Sequence, residues 1–183
     1  MKGLHVDTPV TVGDIARAIR DIPNFPRPGV TFKDITPLLL EPRVFRRAVE
    51  LMSDPFRGAG VTRVVSIESR GFLLGAPIAL ALEAGLVPIR KPGKLPGARG
   101  RVEYALEYGT DALEMHHDAV DGDDRVLIVD DVLATGGTAQ AAALLVRERG
   151  AAVVGFTFLI ELDFLKGRER LKGERVEALL HYA

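Results

Sequence analysis

The sequence contains no cysteine, which excludes disulfides and thiolate-held metal sites and suits a reducing interior. It has no run of about 18 apolar residues, so no membrane-spanning helix is expected. The opening residues, MKGLHVDTPV, hold no apolar core of signal-peptide length. An excess of charge of one sign is missing too. Lys and Arg number 24 against 25 Asp and Glu, for a net charge of −1, and the basic residues are spread along the chain. That excludes the basic face expected of a nucleic-acid or membrane-surface protein.

Several signatures are also absent: the GxxxxGK[ST] of triphosphatases, the GxGxxG of dinucleotide folds and the GxSxG elbow of serine hydrolases. None of the four histidines forms a pair with metal-ligand spacing. His116 and His117 are adjacent, and so point to opposite sides of a strand. No repeat, low-complexity tract or linker divides the chain. The expectation is one cytoplasmic domain of 183 residues with a good core, 47% hydrophobic and 27% charged.

What is present centres on Arg125 to Thr138, RVLIVDDVLATGGT. An apolar strand, Val126 to Val129, runs into two carboxylates, Asp130 and Asp131. The small residues Ala134-Thr135-Gly136-Gly137-Thr138 follow, and then the alanine-rich segment Ala139 to Arg149, which favours helix. Strand, glycine loop and helix together aim backbone N–H groups and a positive dipole end at a phosphate. The loop alone fits an ordinary strand-to-helix turn equally well. Adjacent carboxylates at the end of a buried strand repel and need a hydroxyl, a cation or ordered amides to settle them. The pair therefore favours a ribose-phosphate site.

The rest of the chain is read in order. Thr11 and Asp14 resemble a capping box before a helix from about Val12 to Arg20. Asp21 to Lys33 carries three prolines and a glycine and is expected to be an irregular loop. Pro42 suits the start of a helix reaching about Met52. Arg63 to Ile67 is a β-branched strand ending in Glu68-Ser69-Arg70-Gly71, followed by a helix from Phe72 to Ala84. Leu86 to Ile89 is a strand ending in Arg90-Lys91-Pro92-Gly93-Lys94. Leu95 to Val102 lacks periodicity and is expected to be a mobile surface loop. Tyr104 to Glu107 and Leu113 to His116 suggest a hairpin, and Ala151 to Ile160 a further strand.

Strands alternating with helices predict an α/β fold, a mostly parallel twisted sheet flanked by helices. Ligands in such sheets bind at the carboxyl ends of the strands. Three successive strands here end in ESRG, RKPGK and DDVLATGGT, each competent to bind phosphate. Glu68 to Gly71 alone reads as a strand-end turn, and Arg90, Lys91 and Lys94 alone as a solvated basic loop. Together they offer a place for a second anionic group.

VLIVDDVLATGGT resembles the phosphoribosyl-pyrophosphate signature of type I phosphoribosyltransferases. The wider pattern is similar to the adenine phosphoribosyltransferase family. Phe25 to Leu39 (FPRPGVTFKDITPLL), Glu68 to Pro77, Ile89 to Gly97 and Leu106 to Ala119 (LEYGTDALEMHHDA) stand in that family's order and spacing. The resemblance covers roughly residues 12 to 182. It implies the type I fold as one domain over 1–183, with a small N-terminal base-binding hood (1–35) and a mobile catalytic loop and hairpin (92–119).

The resemblance further implies transfer of a phosphoribosyl group from phosphoribosyl pyrophosphate to N9 of adenine, giving AMP and pyrophosphate. Ala134, Thr135, Gly136, Gly137 and Thr138 would wrap the 5′-phosphate. Asp130 and Asp131 would take the ribose hydroxyls and face substrate-borne Mg²⁺ through water, with no direct protein ligand. Glu68, Ser69 and Arg70 match the pyrophosphate loop, where the family often has a non-proline cis peptide. Arg90, Lys91 and Lys94 supply positive charge for the leaving group.

Adenine would lie between the N-terminal loop and the sheet. Phe32 would stack on it, and backbone groups of Thr31 and Lys33 would read its 6-amino edge. These two residues differ in type from some members, which backbone contacts tolerate. Glu107 matches the candidate acid–base residue, with Tyr108 beside it. The family implies a homodimer. Two alternatives stand beside this reading: a phosphoribosyltransferase for xanthine, hypoxanthine or orotate, and a non-catalytic sensor of phosphoribosyl pyrophosphate.

Overall fold

The computed structural model describes residues 9–105 and 110–183. The chain forms two compact units, divided within a helix at residues 48 and 49.

In the first unit, α1 (Val12–Arg17) opens with the expected capping box. Thr11 Oγ1 accepts from the Asp14 N–H at 3.2 Å, and Asp14 Oδ2 accepts from the Thr11 N–H at 2.8 Å. The helix is shorter than expected because the chain turns at Ala18 into β1 (Arg20–Pro23), which pairs antiparallel with β2 (Thr31–Asp34). The expected irregular loop is therefore a short hairpin. Its prolines do not break it, because Pro23 closes β1 and Pro26 and Pro28 fall in the connection. Arg20 Nε donates to Asp34 Oδ2 at 3.0 Å across the ladder. A short helix, α2 (Thr36–Leu40), follows, and α3 (Pro42–Ser53) begins at the predicted proline.

The second unit is built on a five-stranded sheet in the order β4–β3–β7–β8–β9, every pair parallel. Its strands are β3 (Arg63–Ile67), β4 (Gly85–Ile89), β7 (Arg125–Leu133), β8 (Ala152–Leu162) and β9 (Val176–Tyr182). Two helices, α4 (Gly71–Ala81) and α5 (Gly137–Glu148), carry the β3–β4 and β7–β8 crossovers and flank the sheet. Between β4 and β7 lies an antiparallel hairpin, β5 (Arg99–Ala105) with β6 (Thr110–His116). The core joins Val65, Ile67, Val126, Ile128, Phe156 and Phe158 of the sheet to Ala142, Leu145 and Val146 of α5. Strands covered on both faces read as continuous apolar runs, as β3 and β7 do.

The predicted loop at Leu95 to Val102 is strand from Arg99 onward. Gly100, Val102 and Tyr104 alternate toward the core, with Arg101 and Glu103 turned outward. Gly100 shows no side chain in that pattern, and so hid the period of two. The last strand, β9, lies outside the predicted elements, because Glu177 and His181 interrupt its apolar residues. Among the described residues no helix is long and apolar enough to cross a membrane.

Successive crossovers from β3 and β7 depart to opposite sides in the strand order, so these neighbours form the topological switch point. Ser66 pairs with Val129, so β3 ends where the acidic pair of β7 begins. A crevice at the carboxyl ends of such strands is where open α/β sheets bind ligands.

Candidate active site

The site lies in the second unit and is set by β7. This strand extends through Leu133, so Asp130 and Asp131 belong to it rather than following it. Successive strand residues face opposite ways. Asp131 is buried at 4% exposure, and Asp130 is half-buried. Asp130 Oδ1 accepts the Asp131 N–H at 2.9 Å. Arg70 Nε lies 2.6 Å from Asp131 Oδ2 as an ion pair, yet that oxygen receives no hydrogen bond of good geometry.

Burial, and secondly the charge of Asp131, push the Asp130 carboxyl well above the usual carboxylate range. Burial also raises Asp131, opposed chiefly by Arg70. Arg70 thus offsets only part of the charge of two neighbouring carboxylates, and hydroxyls or a hydrated cation would settle the rest.

Beyond β7, Ala134 to Gly136 lead into α5. Gly136 has φ +81° and caps the helix, and no side chain caps it in competition. A free helix N-terminus binds anions. A small cavity of about 60 Å³ here is lined by Asp130, Ala134, Thr135, Gly136 and Thr138. Gly137 is buried in the first turn of α5. A Cβ on Gly136 would meet the Gly167 carbonyl, and one on Gly167 would meet the Ala134 carbonyl. Two backbones in contact therefore shape this loop, and only glycine fits at either point.

A larger cavity of about 660 Å³ adjoins it, sharing Asp130, Ala134 and Thr138, and is lined also by Ser69, Arg70, Lys91, Lys94 and Tyr104. The Glu68–Ser69 peptide is cis. Glu68 lines the cavity but turns its carboxylate to the basic turn: Lys94 Nζ donates at 2.6 Å, the Lys91 N–H at 2.8 Å and Arg90 Nε at 3.1 Å. Burial works to raise this carboxyl, but those donors outweigh it and hold it down to about 2. Glu68 thus directs its charge to this turn rather than into the cavity. Arg90 does not line the cavity. Its guanidinium sits 5.7 Å from the Phe72 ring centroid and binds Glu68.

The structure therefore brings together Ser69, Arg70, Lys91, Lys94, Asp130, Asp131 and the Ala134–Thr138 loop. Thr31, Phe32 and Lys33 form β2 of the other unit. There the Phe25 and Phe32 rings meet edge to face at 5.3 Å, and Lys33 Nζ pairs with Asp21 at 2.7 Å. Glu107 and Tyr108 lie outside the described residues. Sequence reasoning missed Tyr104, whose hydroxyl accepts from Thr138 Oγ1 at 3.4 Å, as well as Gly167 and the buried Glu114. The alternation of Val102 and Tyr104 was the available signal for the first. Gly167 had none, since its neighbour is distant in sequence.

Comparison with known proteins identifies the family. Residues 38–176 match the phosphoribosyl transferase domain model. The chain is 60% identical over 171 residues to the adenine phosphoribosyltransferase of Myxococcus xanthus, covering 93% of each chain. A crystal structure of adenine phosphoribosyltransferase from Rhodothermus marinus superposes with a TM-score of 0.90 at 52% identity, over 93% of this chain and 98% of that one. The Saccharomyces cerevisiae enzyme, crystallised with an imino-altritol bisphosphate and adenine, gives 0.88 at 40% identity, over 92% of this chain and 98% of that one.

Proposed function

The chain belongs to the adenine phosphoribosyltransferase family, and from that premise we propose how its residues carry the reaction. The enzyme transfers the 5-phosphoribosyl group from phosphoribosyl pyrophosphate to N9 of adenine, giving AMP and pyrophosphate in purine salvage. The observation that carries the site assignment is the junction of two cavities at Asp130, Ala134 and Thr138. The small one suits a phosphate on the α5 N-terminus, and the large one a sugar and a second anionic group.

In this reading the Ala134–Thr138 loop holds the 5′-phosphate with backbone amides and the Thr135 and Thr138 hydroxyls. Asp130 and Asp131 accept from the ribose hydroxyls. Cleavage of the C1′–oxygen bond leaves an oxocarbenium-like sugar and an anionic pyrophosphate. Arg70, Lys91 and Lys94 face the cavity where that charge develops, and fixed cations there favour the transition state.

The adjacent carboxylates of Asp130 and Asp131, both raised by burial, suit a hydrated Mg²⁺ carried by the substrate, held through water. When bound, Mg²⁺ would neutralise pyrophosphate oxygens and ease their departure. Glu107 serves as acid–base group at the purine, with Tyr108 beside it, on the strength of the LEYGTDALE block.

Adenine stacks on Phe32. Thr31 and Lys33 are two apart on β2, so their backbone groups point to the same edge, which suits an acceptor for N6 and a donor for N1. A site so built leaves polar groups unpaired against a 6-oxo purine. The hood over 1–35 and the segment 92–119 act as base-binding and catalytic elements of one enzyme. A cytoplasmic homodimer fits the cysteine-free chain and the exposed Leu73 and Leu80 of the apolar α4. A base-competition assay tests the specificity: adenine should be consumed in preference to hypoxanthine, guanine, xanthine and orotate by about a thousandfold or more. Comparable use of a 6-oxo base would overturn the assignment of Thr31 and Lys33.

A further inference from the structure

Glu114 of β6 is a charged residue at 2% exposure, and nothing in the reaction described above uses it. Its neighbours Leu113 and Met115 are apolar and buried, so the position does not need charge to fill space. Burying a carboxylate is costly unless donors surround it. Here Oε2 accepts the Gly93 N–H at 3.0 Å and lies 3.0 Å from Arg99 Nε.

The backbone of the same residue also engages the basic turn. The Arg90 N–H donates to the Glu114 carbonyl at 2.9 Å, and the Glu114 N–H donates to the Arg90 carbonyl at 2.7 Å. Gly93 is at the bend of that turn, with φ +78°, directly before Lys94. Arg99 in turn donates through Nη1 to the carbonyls of Leu95 and Gly97. One oxygen of Glu114 therefore ties three segments: β6, the Arg90–Lys94 turn and the start of β5. Glu68, just beyond β3, grips the same turn through Lys91 N–H and the Lys94 and Arg90 side chains. The turn is held between two carboxylates, one fixing its arms and the other its bend.

We propose that Glu114 is a positioning residue for the leaving-group site, acting through Gly93 and Arg99 to place Lys91 and Lys94. The proposal rests on the reading that this turn receives pyrophosphate. Without Glu114 the bend loses its acceptor, and Arg99 loses the anion that orients it over residues 95–97. Lys91 and Lys94 then sample positions away from the cavity, and the penalty falls on pyrophosphate-bearing ligands rather than on the base.

The test is steady-state kinetics of the full-length enzyme in both directions. The isosteric Glu114→Gln should raise KM for phosphoribosyl pyrophosphate, and for pyrophosphate in AMP pyrophosphorolysis, by about tenfold. The KM for adenine should stay within about twofold of wild type, and Glu114→Asp should recover part of the loss. Unchanged pyrophosphate constants in Glu114→Gln, or an equal rise in the adenine KM, would overturn the proposal. Lys94→Ala separates the two levels. If it raises both pyrophosphate-linked constants while Glu114→Gln does not, the positioning role alone fails. If Lys94→Ala leaves them unchanged, the assignment of the turn to pyrophosphate fails.

Discussion

Arg70, at the N-cap of α4, and Asp131, within β7, both line the large cavity, and their side chains meet at 2.6 Å. The contact joins the segment assigned to pyrophosphate to the one assigned to ribose. Asp131 is raised by burial and held back chiefly by Arg70, so neither group is indifferent to loss of the other. Asp131→Asn keeps the shape and removes the charge. It should lower kcat/KM for phosphoribosyl pyrophosphate by roughly a hundredfold or more. Initial rates over a substrate range measure this, and unaltered kcat and KM would refute the role given to Asp131.

Glu107→Gln should slow the chemical step by about a hundredfold or more while leaving substrate binding near wild type. Single-turnover AMP formation separates the two quantities. An unchanged single-turnover rate would remove Glu107 from the proton transfer.

The contact between Gly167 and the Ala134–Thr138 loop gives a steric prediction. A Cβ at Gly167 would press on the Ala134 carbonyl and lie 2.9 Å from Leu133 Cδ1, so the loop must shift. Gly167→Ala should raise KM for phosphoribosyl pyrophosphate by roughly tenfold, with the adenine constant little affected. Equal constants in wild type and variant would show that the loop is not held by this contact.

Glu68 links acid stability to the site. Its carboxyl is lowered from 4.5 to about 2, so its stabilising contribution is complete above pH 4.5 and is lost as pH falls toward 2. Allowing for the exposure of Lys94 and Arg90, the contribution is on the order of 2 kcal/mol. Urea unfolding at pH 7 and pH 3 should show a smaller acid-induced loss in Glu68→Gln than in wild type. The same loss in both would mean that Glu68 is not held as described.

The sheet was legible in the sequence wherever strands were buried on both faces. Arg63–Ile67 and the apolar centre of β7 stood out because burial on both sides demands β-branched and aliphatic runs. The polar ends of β3, β4 and β7 were legible for the same reason, as abrupt changes after such runs. The N-terminal hairpin was not, because Pro23, Pro26 and Pro28 argue locally against strands, while cross-strand contacts such as Arg20 with Asp34 decide the outcome. Within the site, Arg90 and Glu68 read as ligand-facing charges, but they are bound to each other and to the turn. Roles of this kind depend on partners about twenty residues away and leave no local pattern. Glu114 and Gly167 were missed on the same ground, since each matters through a neighbour that only the fold supplies, whereas Tyr104 was legible in its alternation with Val102.

The most direct measurement is AMP formation by the purified enzyme from adenine, phosphoribosyl pyrophosphate and Mg²⁺, with pyrophosphate release followed in parallel. The expected result is one AMP and one pyrophosphate per adenine consumed, with activity lost on chelation of the metal. Binding of phosphoribosyl pyrophosphate with no AMP formed, or pyrophosphate release without transfer to adenine, would contradict the assigned reaction.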